Sequence, residues 1–459
     1  MFKKLEAWIL YLTILTGLLF SIFFGLLVYQ EIQAKQWMGM ANNGRTNPTF
    51  PFLSKTAVFL VEIPVNLKII LAGNKHIVKD RFPEVSGFVG KGTDEEMYLL
   101  LSRYDGDLEE GVVELVDLRT FKILHTWNPD IDLFNSLIDT SRKEFENLKR
   151  DNNNKRNLLF SPMFMDNGGL VILSEPLRKI NSCSDLVWQN DEDKFHHSIE
   201  IDNEGNIWVP NHMYPPVIST EKVGENYWDN GITKVSQDGE IIFQKSVSEI
   251  FMENNMEYLL FSLGKGGFNV DPIHLNDIQP VNEDSNFWKK GDLFMSLANQ
   301  SMVLLYRPST NEILWKGVGH TYFQHDVDIL DDHRISIFSN NRKKFINGNV
   351  IDGNNEVVIY DFKTNQYTSY LKESMVKEDV RTSTQGLSQI LDNGDLFVEE
   401  TNYGRTLFFN ANGSLRWQHV NRANDGDVYN LSWSRILYKS DSLERVNKLL
   451  DSKKECVNE

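Results

Sequence analysis

From residue 86 onward the chain alternates short apolar, β-rich runs with Asp, Asn and Gly turns, a pattern that predicts successive hairpins. One kind of hairpin reads apolar strand, polar turn, apolar strand: GVVELVDLRTFKILHTW from Gly111, GITKVSQDGEIIFQK from Gly231, SMVLLYRPSTNEILWKG from Ser301, NEVVIYDFKTNQYTSYL from Asn355 and GRTLFFNANGSLRWQHV from Gly404. A second kind alternates with it: FSPMFMDNGGLVILSE from Phe160, HSIEIDNEGNIWVP from His197, HLNDIQPV with its partner GDLFMSL, HDVDILDDHRISIFSN from His325 and GLSQILDNGDLFVEE from Gly386. Two hairpins make a four-stranded unit, and a recurrent unit that buries its faces only against its neighbours is what a propeller blade requires. With a less regular unit over residues 86–127, the pattern predicts an all-β, six-bladed β-propeller. Residues 433–438 are expected to supply a closing strand to the first blade, because an open ring would leave sheet edges exposed.

The N-terminus follows a different rule. Residues 7–29 carry no charge and are rich in Leu, Ile and Phe, long enough for one transmembrane helix. Phe23, Phe24, Leu26, Leu27 and Tyr29 stand where a cleaved signal peptide would place small residues, which favours an uncleaved anchor. Lys3 and Lys4 favour a cytoplasmic start, so the C-terminal domain is expected outside the cytoplasm, periplasmic or extracellular. The chain then divides into a membrane anchor (1–30), a connector (31–85) broken by Asn42, Asn43, Gly44, Pro48 and Pro51, a propeller catalytic domain (86–440) and a polar tail (441–459). Within the connector, Glu62, Pro64 and Lys68 interrupt the apolar residues 57–71, so a docked helix or strand is expected there rather than a second span.

Composition narrows the function. A formal net charge of −17 speaks against a nucleic-acid partner, since phosphate binding needs clustered Lys and Arg. Cys183 and Cys456 are too few for a disulfide framework or a Cys-based zinc site. Gly264, Gly266 and Gly267 do not open a helix in a βαβ unit, so no nucleotide cofactor is implied.

Inner strands of a propeller converge on its axis, so equivalent positions in successive repeats form a ring. Aligned on the turns Asp166-Asn167-Gly168, Asn203-Glu204-Gly205, Asp331-Asp332-His333 and Asp392-Asn393-Gly394, the strand starts are Phe160, His197, His325 and Gly386. His274, eight before Asn282 in a longer turn, is placed with them. Histidines at three equivalent positions point to a functional cluster. His196 is expected on the opposite face of its strand, in a structural role, and His212, His320, His333 and His419 share no register with the others. Three imidazoles would also suit a zinc-dependent hydrolase, which requires tight convergence of their nitrogens.

The elements HHSIEID at His196, HLNDI at His274, MSLANQSMVLLYRP followed by ILWKGVG, and QHDVDIL at Gln324 followed by ISIFSNN, in that order, resemble the bacterial arylsulfotransferase family over residues 90–438. The resemblance implies a six-bladed propeller outside the cytoplasm that passes a sulfuryl group from an aryl sulfate ester to a phenolic acceptor through a sulfohistidine, without a cofactor. It implies His325 as nucleophile, with His197, His274 and Asn276 in the site. It also implies an arginine against the sulfuryl oxygens, but that position here is Ala298; Arg342, after Asn340 and Asn341, and Arg405 are the candidate replacements. This departure keeps a non-catalytic extracytoplasmic binding module as the competing reading. A homo-oligomer is compatible with the sequence.

Overall fold

The structure is a computed structural model that describes residues 7–37, 52–54, 56–57, 60–61, 76–224, 226–262, 269–346 and 348–452. The chain forms two compact units, one comprising residues 1–73, 218–227 and 261–270, the other residues 74–217, 228–260 and 271–459. The first unit contains the helix Ala7–Trp37. Its segment Tyr11–Tyr29 has a mean hydropathy of 2.2 and is long and apolar enough to cross a membrane. The helix or strand expected over residues 57–71 falls mostly outside the described residues.

The second unit holds six antiparallel sheets arranged as a six-bladed propeller. Blade 1 runs, from the axis outward, Arg435–Leu437, Tyr98–Asp105, Glu110–Asp117 and Lys122–Trp127. Blade 2 is Phe160–Phe164, Leu170–Leu173, Leu177–Ile180 and Leu186–Asn190. Blade 3 begins with two short pieces, Lys194–Phe195 and Glu200–Ile201, and continues with Ile207–Met213, Asp229–Val235 and Ile241–Ser246. Blade 4 is Leu275–Pro280, Leu293–Leu297, Met302–Arg307 and Glu312–Val318. Blade 5 is Val327–Ile329, Arg334–Ser339, Glu356–Asp361 and Gln366–Tyr370, and blade 6 is Leu387–Ile390, Leu396–Glu400, Arg405–Phe409 and Leu415–Val420.

The ring closes twice. The strand Arg435–Leu437 pairs Tyr98 with Leu437 and Leu100 with Arg435, so the end of the chain supplies the inner strand of blade 1. The strand Gly87–Gly90, expected within the first repeat, instead pairs with Leu415–Val420 and covers the outer edge of blade 6. Both pairings remove an open sheet edge. The segment expected as a polar tail begins as a helix, Ser440–Ser452, that buries Val446 and Leu449 among residues of blades 1 and 2.

Each blade is apolar on both faces because each is covered by its neighbours. Leu99, Val116, Phe397, Phe408 and Trp417 pack together between blades 6 and 1. Phe294, Val303, Ile335 and Tyr360 do so between blades 4 and 5. Side chains then stitch the inner strands to one another: Ser161 Oγ accepts from Ile199 N (3.1 Å), Asp277 Oδ2 from Val327 N (3.0 Å), Asp326 Oδ2 from Ser388 N (3.0 Å) and Gln389 Oε1 from Ile436 N (3.0 Å). A weaker equivalent runs from Ile278 N to Ser198 Oγ (3.4 Å).

Candidate functional site

The stitches define which positions are equivalent. Two residues before the donating amides of Ile199, Ile278, Val327 and Ser388 stand His197, Asn276, His325 and Gly386. His197 and His325 are therefore in register, as the turn alignment has them. Blade 4 differs: its register position is Asn276, and His274 lies two residues earlier, because the longer turn after Pro280 displaces an alignment made on the turn.

The three histidines nevertheless meet. Ring centroids are 5.3 Å apart for His197 and His274 and 5.9 Å for His197 and His325. Phe323 lies 5.8 Å from His274 and 5.6 Å from His325, a wall between the two rings. His197 and His274 both adopt left-handed backbone, φ +63° and +54°, and so do Ser161, Phe323, Gln385 and Trp433 at the entries to the other blades. A side chain in that conformation costs on the order of 1–3 kcal/mol and persists only where the surroundings over-determine it. Here the chain must turn sharply toward the axis six times.

Partners fix the protons. Asn340 donates both amide hydrogens, to Thr382 O (3.1 Å) and Gln385 O (2.8 Å), so its Oδ1 can only accept. It accepts from His325 Nδ1 at 2.7 Å, which leaves the His325 lone pair on Nε2. That lone pair now receives the backbone N–H of Gln385 at 2.8 Å. Burial pushes the His325 imidazole down to about 3, which favours its neutral form at physiological pH. Burial holds His197 well below its ordinary value in the same way. His274 donates from Nδ1 to Asp271 Oδ2 (2.6 Å), and its backbone N–H goes to Asp271 Oδ1 (3.1 Å).

The remaining sequence candidates separate. Asn276 is buried; its amide donates to Gln324 O (3.0 Å), and its Oδ1 has no partner. Arg342 lies 4.3 Å over the Phe323 ring, close enough that its charge helps hold His325 neutral, and among the described residues it has no carboxylate partner. Arg405 is committed elsewhere: it is buried, ion-paired with Glu400, bonded to Glu378 O (2.8 Å) and stacked 3.8 Å over Phe82. Asn341 accepts from Ser339 (2.8 Å) and donates to Asn354 O (2.8 Å), holding the base of the hairpin Arg342–Phe345/Gly348–Ile351. Ala298 is buried, its N–H bonded to His274 O (2.9 Å), so the turn that lacks the cation still braces His274.

Sequence reasoning missed Asp271, Phe323 and Gln385, which carry no repeat signature; the signal for Asp271 was its place three residues before His274. It also misplaced His196. The left-handed turn at His197 breaks strand alternation, and His196 Nδ1 lies 2.6 Å from His197 Nδ1, with the tilted His212 ring behind His196 at 4.2 Å. Among the described residues, the one group of three metal-ligating side chains with donor atoms within 4.8 Å of one another is Asp331, Asp332 and His333, in a turn remote from this register. The axial histidines do not converge as a zinc site requires. Beside them opens a cavity of about 290 Å³ whose walls include Leu158, Phe160, Leu173 and Phe195 with His197 and Gln385, apolar enough for an aromatic ring.

Residues 175–422 match the family described as Arylsulfotransferase (ASST). No curated protein matches the sequence. Among solved structures, a protein of unknown function from Bacteroides caccae aligns at 13% identity over 71% of this chain and 93% of its own, with a TM-score of 0.43. Selenomethionine-substituted virginiamycin B lyase from Staphylococcus aureus aligns at 10% identity over 56% and 69%, TM-score 0.32. The WD40 propeller domain of Doa1 aligns at 12% over 80% and 94%, TM-score 0.37. Likenesses this distant carry no statement about chemistry.

Proposed function

The chain belongs to the arylsulfotransferase family, and from that premise we propose that it passes a sulfuryl group from an aryl sulfate ester to a phenolic acceptor through a sulfohistidine on His325. The observation that carries this reading is the Asn340–His325 bond, which leaves a neutral imidazole with its lone pair on Nε2. In the first half-reaction Nε2 attacks sulfur and the S–O(aryl) bond breaks. The departing aryloxide takes a proton held by the His274–Asp271 pair. In the second, a phenolic oxygen attacks the sulfohistidine and returns its proton to that pair, so the cycle is proton-neutral. Arg342, unpaired and half-buried, supplies positive charge that Ala298 does not. The Gln385 N–H that now occupies Nε2 becomes a donor to a sulfuryl oxygen once nitrogen has bonded to sulfur. Asn276, with its unpartnered Oδ1, and Asn340 line the substrate side, while Asn341 positions Arg342. The N-terminal helix tethers the propeller at a membrane, with the catalytic domain outside the cytoplasm.

The test is intact-mass measurement of the full chain after exposure to a chromogenic aryl sulfate without acceptor: one added sulfuryl group on His325 supports the reading, and an unmodified chain with no release of phenol sinks it. One observation favours the non-catalytic alternative, namely that the nucleophilic lone pair is already capped by Gln385 N–H.

A further inference from the structure

With Ala298 where a cation is expected, hydrogen-bond donors must carry more of the sulfuryl charge. The structure supplies one by an indirect route. His196 and His197 are consecutive, and a regular strand would send them to opposite faces. The left-handed conformation of His197 (φ +63°) instead brings their rings together, centroids 4.8 Å apart and Nδ1 atoms at 2.6 Å. Two ring nitrogens that close form a hydrogen bond only if one carries the proton and the other does not.

Which one donates follows from the far side of His196. Both rings border the cavity beside the site, but the His196 Nε2 atom is buried without a partner, whereas His197 Nε2 is not among the sealed, unpartnered atoms. If His197 donated, neutral His196 would carry its proton on that sealed Nε2, an N–H with no acceptor. A buried orphan donor is the rarer and costlier defect, so His196 donates and keeps a bare lone pair there. His197 is then protonated on Nε2. His212, packed at a tilt against His196 at 4.2 Å and edge-on to Trp228 at 4.5 Å, holds the donor ring in place.

We infer that His196 is a positioning residue that holds neutral His197 in its Nε2–H tautomer, making His197 a hydrogen-bond donor to the sulfuryl oxygens of an aryl sulfate. The role toward sulfate rests on the sulfuryl-transfer reading; the tautomer does not. The two axial rings become complementary: His325 offers a lone pair at Nε2, and His197 offers a proton at Nε2.

Nitrogen-15 NMR of the full chain, labelled at histidine, at neutral pH in detergent, reads both tautomers directly, with His197→Gln and His325→Gln assigning the signals. The expected result is His197 protonated on Nε2 and His325 on Nδ1. In His196→Ala the His197 signal becomes a tautomer mixture, and kcat for an aryl sulfate falls about 10- to 100-fold, part of what a lost oxyanion donor costs, with KM nearly unchanged. His196→Asn places an amide N–H where Nδ1–H stood and restores both. Protonation of His197 on Nδ1 in the wild type, or an unchanged tautomer in folded His196→Ala, overturns the inference. A His197 Nε2–H signal in a protein that turns over no aryl sulfate leaves the tautomer lock standing and removes the sulfuryl-transfer reading with the role built on it.

Discussion

Two rings of titratable side chains occupy the same inner strands and meet opposite fates. At the strand entries stand His197, His274 and His325; further along the same strands stand Glu200, Asp277, Asp326 and Asp328, several of them around a second cavity of about 910 Å³ with Arg435. Burial favours the neutral form of His197 and His325 in the first ring and of Asp277, Asp326 and Asp328 in the second. It lowers His325 to about 3 and raises Asp328 to about 7, with the nearby Glu200 carboxylate adding to the second shift. For an imidazole the neutral form is the nucleophile. For a carboxylate it is the loss of a charge, and Asp277 and Asp326 each accept a backbone amide from the next blade. The partners follow the same division: the histidines have side-chain partners that fix proton positions, whereas Glu200 has an ion pair to Arg435 at 2.9 Å and the aspartates have structural stitches. Under the proposed function, burial would thus serve reactivity in one ring and structure in the other.

Several substitutions would break or sharpen that contrast. His325→Gln removes the attacking nitrogen and should lower transfer by about 10⁴-fold or more, with no sulfuryl group retained by mass. Asp328→Asn in the other ring should leave transfer at pH 7 within about threefold, since the mutation touches no proton of the cycle. Equal loss in both variants would mean that the contrast is wrong.

Asn340→Leu tests whether neutrality alone makes the ring reactive. The imidazole stays buried but loses the acceptor that fixes its tautomer, and kcat should drop by about 10²- to 10⁴-fold, the range associated with a mispositioned catalytic histidine. Full activity would assign the tautomer to some other contact, such as Phe323 O at 3.3 Å from His325 Nδ1.

Arg342→Ala should cost about 2.7–4 kcal/mol of transition-state stabilisation, read as a fall in kcat, because among the described residues no other guanidinium is placed against Phe323. Arg405→Ala provides the comparison: it breaks a buried pair with Glu400 and should lower the melting temperature while leaving kcat per folded molecule unchanged. If Arg405→Ala alone abolished turnover, the two arginines would have to exchange roles.

The smallest effect is the most diagnostic for the carboxylate ring. Asp328 has a folded value of about 7, above the ordinary carboxylate value of 3.8, so its contribution to stability is complete below about pH 4 and lost as pH rises through 7. Asp328→Asn should therefore match the wild type near pH 4 and exceed it at pH 8 by about 1–3 kcal/mol in urea unfolding. The histidine ring has the opposite sign: His325, held at about 3 against an ordinary 6.5, gives its full contribution above 6.5 and loses it as pH falls toward 3. A Asp328→Asn variant that loses stability on raising the pH would show that the carboxylate is charged and paired in the native state.

The sequence by itself determined the blade. Period-two apolar runs and Asn-Gly or Asp-Gly turns are local signals, and a sheet that is apolar on both faces can be satisfied only by neighbours like itself, so the six-bladed ring was legible before any coordinates. The register of His197 with His325 was legible for the same reason. What tertiary structure alone decided were contacts between blades. Asn340 is oriented toward His325 only after blade 5 and the Thr382–Gln385 segment have met. The pairing of His196 with His197 depends on a left-handed residue that period-two reasoning cannot anticipate, since it reverses the face on which the side chain falls. The described part of the tail, Ser440–Ser452, looked polar because a helix that buries one stripe is mostly polar by composition; Val446 and Leu449 disclose their role only against the blades that cover them.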